Sequence, residues 1–404
     1  MELLGRGLGP RLEQLVSEHP VVIVEGARAV GKTTLVRQLI DQGQMRGRFV
    51  SLDDELEIAR ADPQRWLSSL PFGSVVDEAQ LVPGLLLAAK KLVDQDPAPG
   101  RFLLTGSSRL RTDSLGGSDA LAGRSVRVQL HPLTVGERGG EPVSLLAHLM
   151  SGSVDGWQSS LDPDEVIERV QKGGMPGAIG LSETGRVDRF GSYVDRSVGA
   201  AMTGGARHSI TMRLVRHIFS QSPMPENSTE LARQLEVSRD TILAHVDLLE
   251  ESFLIWRQRG FSVGAAGEMK RAQLVAFDSG VSSAMAGPSR DEDFGSRLET
   301  FVANDLRAQA SWQPPDTKPS IGHWRFKNRS EVDLVLQFPS GDLVAIEVKA
   351  SRSPSPSHVK WLTSFRERYH QPGRRIRTYV FYLGDRCVPY LDHWFVPVGM
   401  LAGG

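Results

Sequence analysis

Positions 26–34 read GARAVGKTT and place two glycines, a lysine and two threonines at the spacing of a phosphate-binding loop. Gly26 and Gly31 let the chain turn closely around phosphate oxygens. Backbone N–H groups of the loop, through Ala29, Val30 and Gly31, and the start of the following helix present donors to those oxygens. Lys32 is expected to reach the β- and γ-phosphates of ATP, Thr33 to give a hydroxyl ligand to Mg2+, and Thr34 to contact the α-phosphate. The segment VVDEAQ at 75–80 supplies the second requirement of the same chemistry, an apolar strand ending in two carboxylates. Asp77 is expected to hold magnesium through coordinated water, and Glu78 to orient or deprotonate the attacking water. A third strand, LLTGSS at 103–108, ends in small polar residues. Thr105, Ser107 or Ser108 can meet the γ-phosphate or the water, and Ser107 is the first choice. Arg109, Arg111 and Arg124 follow as candidate partners for transition-state charge, within the chain or on an adjacent subunit, with Arg124 of LAGR favoured.

A second set of reactive groups lies near the other end: Glu299, Asp333 in SEVDLVL, and Glu347 and Lys349 in IEVK. Strand alternation puts Glu347 and Lys349 on one face. Glu299, Asp333 and Glu347 are expected to bind Mg2+ or Mn2+, with Lys349 stabilising charge in phosphodiester cleavage. The competing expectation is an inert arrangement in which the charges pair as Asp333–Lys349 or Glu347–Arg329. Trp324, Arg325, Lys327 and Arg329 suit the approach of a phosphate backbone, although Trp324 equally suits a core.

The elements that must position these groups are legible in part. A β-branched run at 21–24, the glycine loop and a helix at 32–40 form a strand-loop-helix unit. Strands at 74–76 and 101–105 with a helix at 83–93 between them imply a parallel sheet covered on both faces. From Leu130 to about residue 220 the pattern is helical and Gly-rich, read as a lid and connector. Residues 227–256 have helix-turn-helix spacing, with Ser228 or Thr229 as the cap, a second helix at 238–250, and a wing strand at 253–256. Ser238, Arg239, Asp240 and Thr241 would sit at the tip that reads DNA, whereas Asp247, Glu250 and Glu251 would repel phosphate. Residues 260–273 read as a hairpin or loop. A last α/β segment begins near Asp291, with a helix to Leu306, strands at 332–336, 343–348 and 376–383, and a helix at 358–368.

GARAVGKTT, VVDEAQ, LLTGSS and LAGR, followed by HPLTVGE at 131–137 and GGMPG at 173–177, together resemble the bacterial and archaeal AAA-type ATPases that carry a C-terminal DUF4143 domain. The resemblance implies an α/β fold: a P-loop AAA-like ATPase core with a parallel sheet at 1–140, a helical lid or connector at 141–205, a winged helix-turn-helix at 206–275, and a PD-(D/E)XK nuclease-like domain at 290–404. Asp333 and Glu347-x-Lys349 match the nuclease pattern, and Glu299 resembles its additional helix acid. Val332 stands where that pattern has proline.

The 404 residues suffice for several domains, and a net charge of −1 conceals a basic stretch from Lys318 to Arg377 with twelve Lys or Arg against five Asp or Glu. Such a field suits a phosphate backbone. No apolar run nears the roughly 18 residues of a membrane span, and no signal peptide is evident at the start. The single Cys387 is expected in a core, and a cytoplasmic location is the default. These readings converge on Mg2+-dependent ATP hydrolysis coupled to DNA. The alternative is a signalling or assembly ATPase directed at a protein partner, and a homo-oligomer is compatible with both.

Overall fold

The structure, a computed structural model, describes residues 4–110, 121–201, 205–263, 270–286, 294–327 and 330–403. Arg111, Arg329 and the expected domain start at Asp291 lie outside the described residues. The chain divides into a smaller unit, Arg6–His131 with Glu251–Phe253, and a larger unit formed by the remainder.

The smaller unit is built on five parallel strands, β1 (Val21–Glu25), β2 (Phe49–Ser51), β3 (Ser74–Asp77), β4 (Phe102–Gly106) and β5 (Ser125–Gln129), in the order β2-β3-β4-β1-β5. Strands β1, β3 and β4 are buried at every position, as continuous apolar runs require when helices cover both faces. Helices α1 (Gly9–Glu18), α2 (Lys32–Asp41), α3 (Leu52–Ala61), α4 (Pro63–Ser69) and α5 (Leu85–Gln95) do the covering. Ile23, Val76, Leu86, Ala89 and Leu104 belong to the core that results. Every strand in this sheet runs the same way, so the C-terminal ends of β1, β3 and β4 share one edge.

The larger unit opens with α6 (Val135–Arg138), α7 (Leu146–Ser151), α8 (Pro163–Lys172), α9 (Glu183–Ala201) and α10 (Gly205–Ser220). Asp162 caps α8 in a reciprocal capping box with Glu165, and Pro163 occupies the first turn. These helices do not stand apart as a lid. Leu146, Leu149, Val166 and Val170 join the same core as Leu298, Val302 and Ile346, and Tyr379 donates to the Leu149 carbonyl at 2.7 Å.

Next come β6 (Met224–Pro225), α11 (Ser228–Leu235), α12 (Arg239–Glu251), β7 (Ile255–Gly260), β8 (Gln273–Ala276) and α13 (Ser279–Ala286). The cap of α11 is Asn227, whose side chain accepts from the Glu230 N–H at 3.3 Å, rather than Ser228 or Thr229. Ser238 caps α12 by accepting from the Thr241 N–H at 3.1 Å. The last stretch contains α14 (Phe294–Trp312), β9 (Ser320–Phe326), β10 (Ser330–Gln337), β11 (Leu343–Lys349), α15 (Lys360–Tyr369), β12 (Ile376–Tyr382), β13 (Val388–Tyr390) and β14 (His393–Pro397). All nine strands of the unit form one mixed sheet, β13-β14-β12-β11-β10-β9-β7-β8-β6. The segments expected as a separate wing and a separate C-terminal domain are therefore joined, because β7 pairs in parallel with β9 at Arg259–Gly322 and Gly260–His323. Gly322 is needed there: a Cβ would lie 2.6 Å from the Arg259 carbonyl oxygen. Cys387 is half-buried against the apolar core, and burial pushes its thiol up to about 12.

Candidate active site

The phosphate loop begins where β1 ends. Gly26 has φ +156°, and a Cβ there would lie 2.3 Å from the Leu130 carbonyl oxygen, so only glycine permits this approach. Gly31, at φ +105°, turns the chain into α2. Between them Ala29 is held at φ 57°, a left-handed conformation that costs an alanine roughly 1–2 kcal/mol. The side chain of Val30 is fully buried, and its carbonyl oxygen accepts from the Arg6 guanidinium at 3.0 Å. Arg6 also donates to the His131 carbonyl at 2.6 Å, thereby tying the loop to the chain that follows β5. Its distance in sequence from the loop hides this role from motif reading.

Lys32 is buried, and its amine donates to the carbonyls of Gly26 and Ala27 at 2.9 and 3.0 Å. Burial lowers its pKa to about 8, against the raising pull of Glu78 and Asp77. Thr33, next on α2, donates its hydroxyl to Asp77 Oδ2 at 2.7 Å, and the Thr105 hydroxyl donates to Asp77 Oδ1. The two groups expected to share a magnesium ion are already in contact across adjacent elements. Thr34 is exposed on the first turn of α2.

Glu78 follows in a left-handed conformation, φ 58° and ψ 42°, with its N–H on the Thr105 hydroxyl at 3.2 Å. Its carboxylate Oε2 accepts from the Ser107 hydroxyl at 2.8 Å and from the Gln80 side-chain amide. Ser107 thus meets the carboxylate expected to act as the base, while Thr105 meets the carboxylate expected to hold magnesium. The structure brings Lys32, Thr33, Asp77, Glu78, Thr105 and Ser107 to one edge of the sheet.

Arg124 is not among them. It precedes Ser125, which pairs with Val21 at the start of β1, whereas the phosphate loop follows Glu25 at the other end. Five strand residues separate the two ends, about 16 Å. Arg124 is half-buried there and paired with Asp94. Arg124 is thus at the end of the sheet opposite the phosphate loop of its own chain. Arg109, exposed just past the tip of β4, is at the correct end. Arg127 instead supports the base of the loop through a 2.7 Å ion pair with Glu25.

The second set of charges also gathers, within the larger unit. Leu334 pairs with Ile346, which makes Asp333 and Glu347 cross-strand neighbours. A bulge between Val332 and Val335 bends β10 at Asp333. The Gln258 amide fills the bulge by donating to the Asp333 carbonyl at 2.8 Å and the Gly322 carbonyl at 3.0 Å. Asp333 Oδ2 accepts from the Val348 N–H at 2.7 Å, and Lys349 pairs with Glu347. Burial pushes Asp333 up to about 6 and, with the charge of Asp333, Glu347 up to about 8. Glu299 on α14 is raised well above the usual range by burial and by Asp333, Glu331 and Glu347. Burial opposes the charge of Lys349, but Asp333 and Glu347 outweigh it and hold the ammonium form.

Among the described residues no three His, Cys, Asp or Glu side chains stand close enough to hold a metal ion together. The expected metal trio Glu299, Asp333 and Glu347 is thus not assembled as a cage: Asp333 is engaged by a backbone N–H and Glu347 by Lys349. One oxygen of Glu347, Oε2, is buried without a partner. Trp324 is a core residue, 1 % exposed, with its indole N–H on the Tyr369 hydroxyl at 2.9 Å. Arg325 pairs with Glu331, and Lys327 lies over the Phe326 ring.

Comparison with known proteins supports the fold of the smaller unit. An AAA domain matches residues 18–138, one domain of unknown function (DUF8612) matches 163–292, and another (DUF4143) matches 294–401. An uncharacterized protein of Mycobacterium tuberculosis is 27% identical over 365 residues, 87% of this chain and 75% of that protein. One of Haemophilus influenzae is 24% identical over 317 residues, covering 71% and 74% respectively. Among solved structures, a Walker-type ATPase of Pyrococcus abyssi aligns with a TM-score of 0.38 at 17% identity, covering 69% of this chain and 94% of that one. The Holliday junction branch migration motor RuvB of Thermotoga maritima aligns at 0.31 and 20% identity, covering 63% and 90%. The smaller unit is matched by an AAA domain and has the parallel α/β sheet and phosphate loop of a P-loop ATPase-like core. No helix among the described residues is long and apolar enough to cross a membrane.

Proposed function

We propose that the chain is a Mg2+-dependent ATPase whose turnover is coupled to DNA engagement by the larger unit. The observation that carries the first half is the contact of Thr33 with Asp77 beside Glu78 and Ser107, all at the mouth of the phosphate loop. The loop N–H groups and Lys32 bind the polyphosphate, the amine leaving the Gly26 and Ala27 carbonyls to do so. Thr33 and Asp77 are the residues that would hold Mg2+. The ion, when bound, neutralises charge on the β- and γ-phosphate oxygens. Glu78 takes the proton of the attacking water as it adds to the γ-phosphorus, and the γ-phosphate leaves ADP as inorganic phosphate. Ser107 keeps Glu78 oriented.

The DNA half of the reading rests on surface charge. Helix α10 contains Arg207, Arg213 and Arg216, all exposed, and no acidic residue. Asp247 and Glu250, which argue from the sequence against a phosphate surface, both pair with Arg257 together with Glu226. The one guanidinium of Arg257 offsets part of the charge of these three carboxylates. Ser238 and Arg239 remain at the exposed start of α12. The helix pair followed by the β7–β8 hairpin supports a winged-helix reading of this segment. For the carboxylate cluster the reading is engagement without cleavage, since Lys349 and the Val348 N–H occupy its acids.

Steady-state Mg-ATP hydrolysis measured with single-stranded, double-stranded and branched DNA at fixed salt tests the coupling. The rate is expected to rise several-fold with one of these forms. A nonzero rate indifferent to all three overturns the DNA half and favours a protein-directed ATPase.

A further inference from the structure

Gln80 follows the two acids of VVDEAQ, and neither the phosphate loop nor the magnesium pair explains it. Its side chain makes three contacts at once. The amide nitrogen donates to Glu78 Oε2 and reaches the Ser107 hydroxyl at 2.9 Å, while its carbonyl oxygen accepts from the Ser107 N–H at 3.2 Å. With the 2.8 Å bond from the Ser107 hydroxyl to the same Glu78 oxygen, the three residues close a ring between the tips of β3 and β4.

The ring resolves a problem set by the backbone. Glu78 is a non-glycine residue in the left-handed region, which its own side chain does not favour. Outside contacts must hold it there. One is the Thr105 hydroxyl on its N–H, and the ring provides the others. The ring is also asymmetric about the carboxylate: both donors go to Oε2, and Oε1 makes no hydrogen bond among the described residues. A carboxylate tied by one oxygen and open at the other is held in place yet still able to accept a proton.

We propose that Gln80 is the positioning residue of the hydrolytic carboxylate, clamping Glu78 to Ser107 so that Oε2 is fixed and Oε1 is left to take the proton of the attacking water. This rests on the ATPase reading above. Gln80 acts through Glu78 and Ser107, the two residues its side chain engages. An amide suits the task because it offers a donor to the carboxylate and an acceptor to the Ser107 N–H without adding charge. A carboxylate in its place would set two acids side by side that share one proton.

Two variants in the full chain test this. With Gln80→Leu, kcat for Mg-ATP should fall about 10- to 100-fold while KM stays within about 3-fold, since only the orientation of the base is lost. Thermal stabilisation by Mg-ATP should be retained. With Gln80→Glu, the rate relative to wild type should be low near pH 8 and recover toward about pH 6, because a protonated glutamic acid again donates to Glu78. Lys32, whose charge interacts with Glu78, and its other neighbours Asp77 and Arg28 are common to both proteins, so the ratio isolates position 80. A Gln80→Leu protein with wild-type kcat, or a Gln80→Glu ratio flat in pH, overturns the proposal. If Gln80→Leu loses nucleotide binding, the pH ratio of Gln80→Glu decides alone. A wild-type protein that does not hydrolyse Mg-ATP refutes the ATPase reading itself, an outcome distinct from either variant result.

Discussion

Replacing Glu78 by Gln removes a base while leaving almost everything around it in place. The amide oxygen of the new side chain still accepts from the Ser107 hydroxyl and the Gln80 amide, and the backbone N–H still reaches Thr105. Only the capacity to take a proton is lost. General-base catalysis contributes about 10²- to 10⁴-fold, which at 1.36 kcal/mol per decade is roughly 2.7–5.4 kcal/mol of barrier. Nucleotide affinity should be preserved or slightly improved, because a negative charge next to the polyphosphate has been removed. The buried amine of Lys32 loses a supporting charge in the same step, and its pKa should fall further below the wild-type value of about 8. Phosphate release measured at saturating Mg-ATP, with equilibrium binding of ATP alongside, separates the two effects. A turnover within about 3-fold of wild type would refute the role given to Glu78, whereas a loss of binding would show that its carboxylate holds the loop together.

Lys32→Met should abolish Mg-ATP-induced thermal stabilisation without destabilising the unliganded protein at neutral pH. In wild type the folded amine titrates near 8 and the unfolded one near 10.5, so unliganded stability should rise with pH across that window, by up to about 3 kcal/mol relative to Lys32→Met. Denaturant midpoints of the two proteins between those pH values check the sign. Glu347 behaves oppositely: its folded pKa, near 8, is raised, so the folded state keeps a proton that the unfolded state releases, and stability falls as pH rises from about 4.5 to 8. Glu347→Gln should therefore be more stable than wild type at pH 8 in thermal melts, with the difference closing toward pH 5; an unchanged difference would remove the raised pKa. Trp324→Ala should cost about 3–5 kcal/mol in urea unfolding, as a fully packed aromatic does, and a loss under about 1 kcal/mol would instead favour a ligand-facing role.

What could be read from the sequence was what lies contiguous in it. Lys32, Thr33, Asp77 and Glu78 occupy short motifs whose spacing alone fixes their places at a strand tip. Gln80 and Ser107 were harder, because their partnership spans 27 residues and depends on β3 and β4 being neighbours. For Arg124 the sequence leaves action within the chain or on an adjacent subunit open, because proximity to motifs along the chain does not reveal that a residue preceding a parallel strand sits at the end opposite the phosphate loop. Strands β5 and β9 escaped notice because both are only partly buried, with Arg127 in one and Gly322, His323 and Arg325 in the other breaking the apolar signal. Asp333 and Glu347 are cross-strand neighbours because the tight turn between β10 and β11 sets that register. Their state depended on hydrogens from Val348 and Lys349 that no pattern of residue types discloses.

The pairing of β7 with β9 limits how this chain can be dissected. A fragment ending near residue 286 would keep both helices of the α11–α12 pair and the β7–β8 hairpin, yet it would strip β7 of its neighbour on one side. The hydrogen-bonding groups of Arg259 and Gly260, together with the Phe261 N–H that now donates to the His323 carbonyl at 2.6 Å, would face solvent as an open template for another strand. Such a fragment should self-associate, and the sheet should melt as one cooperative block.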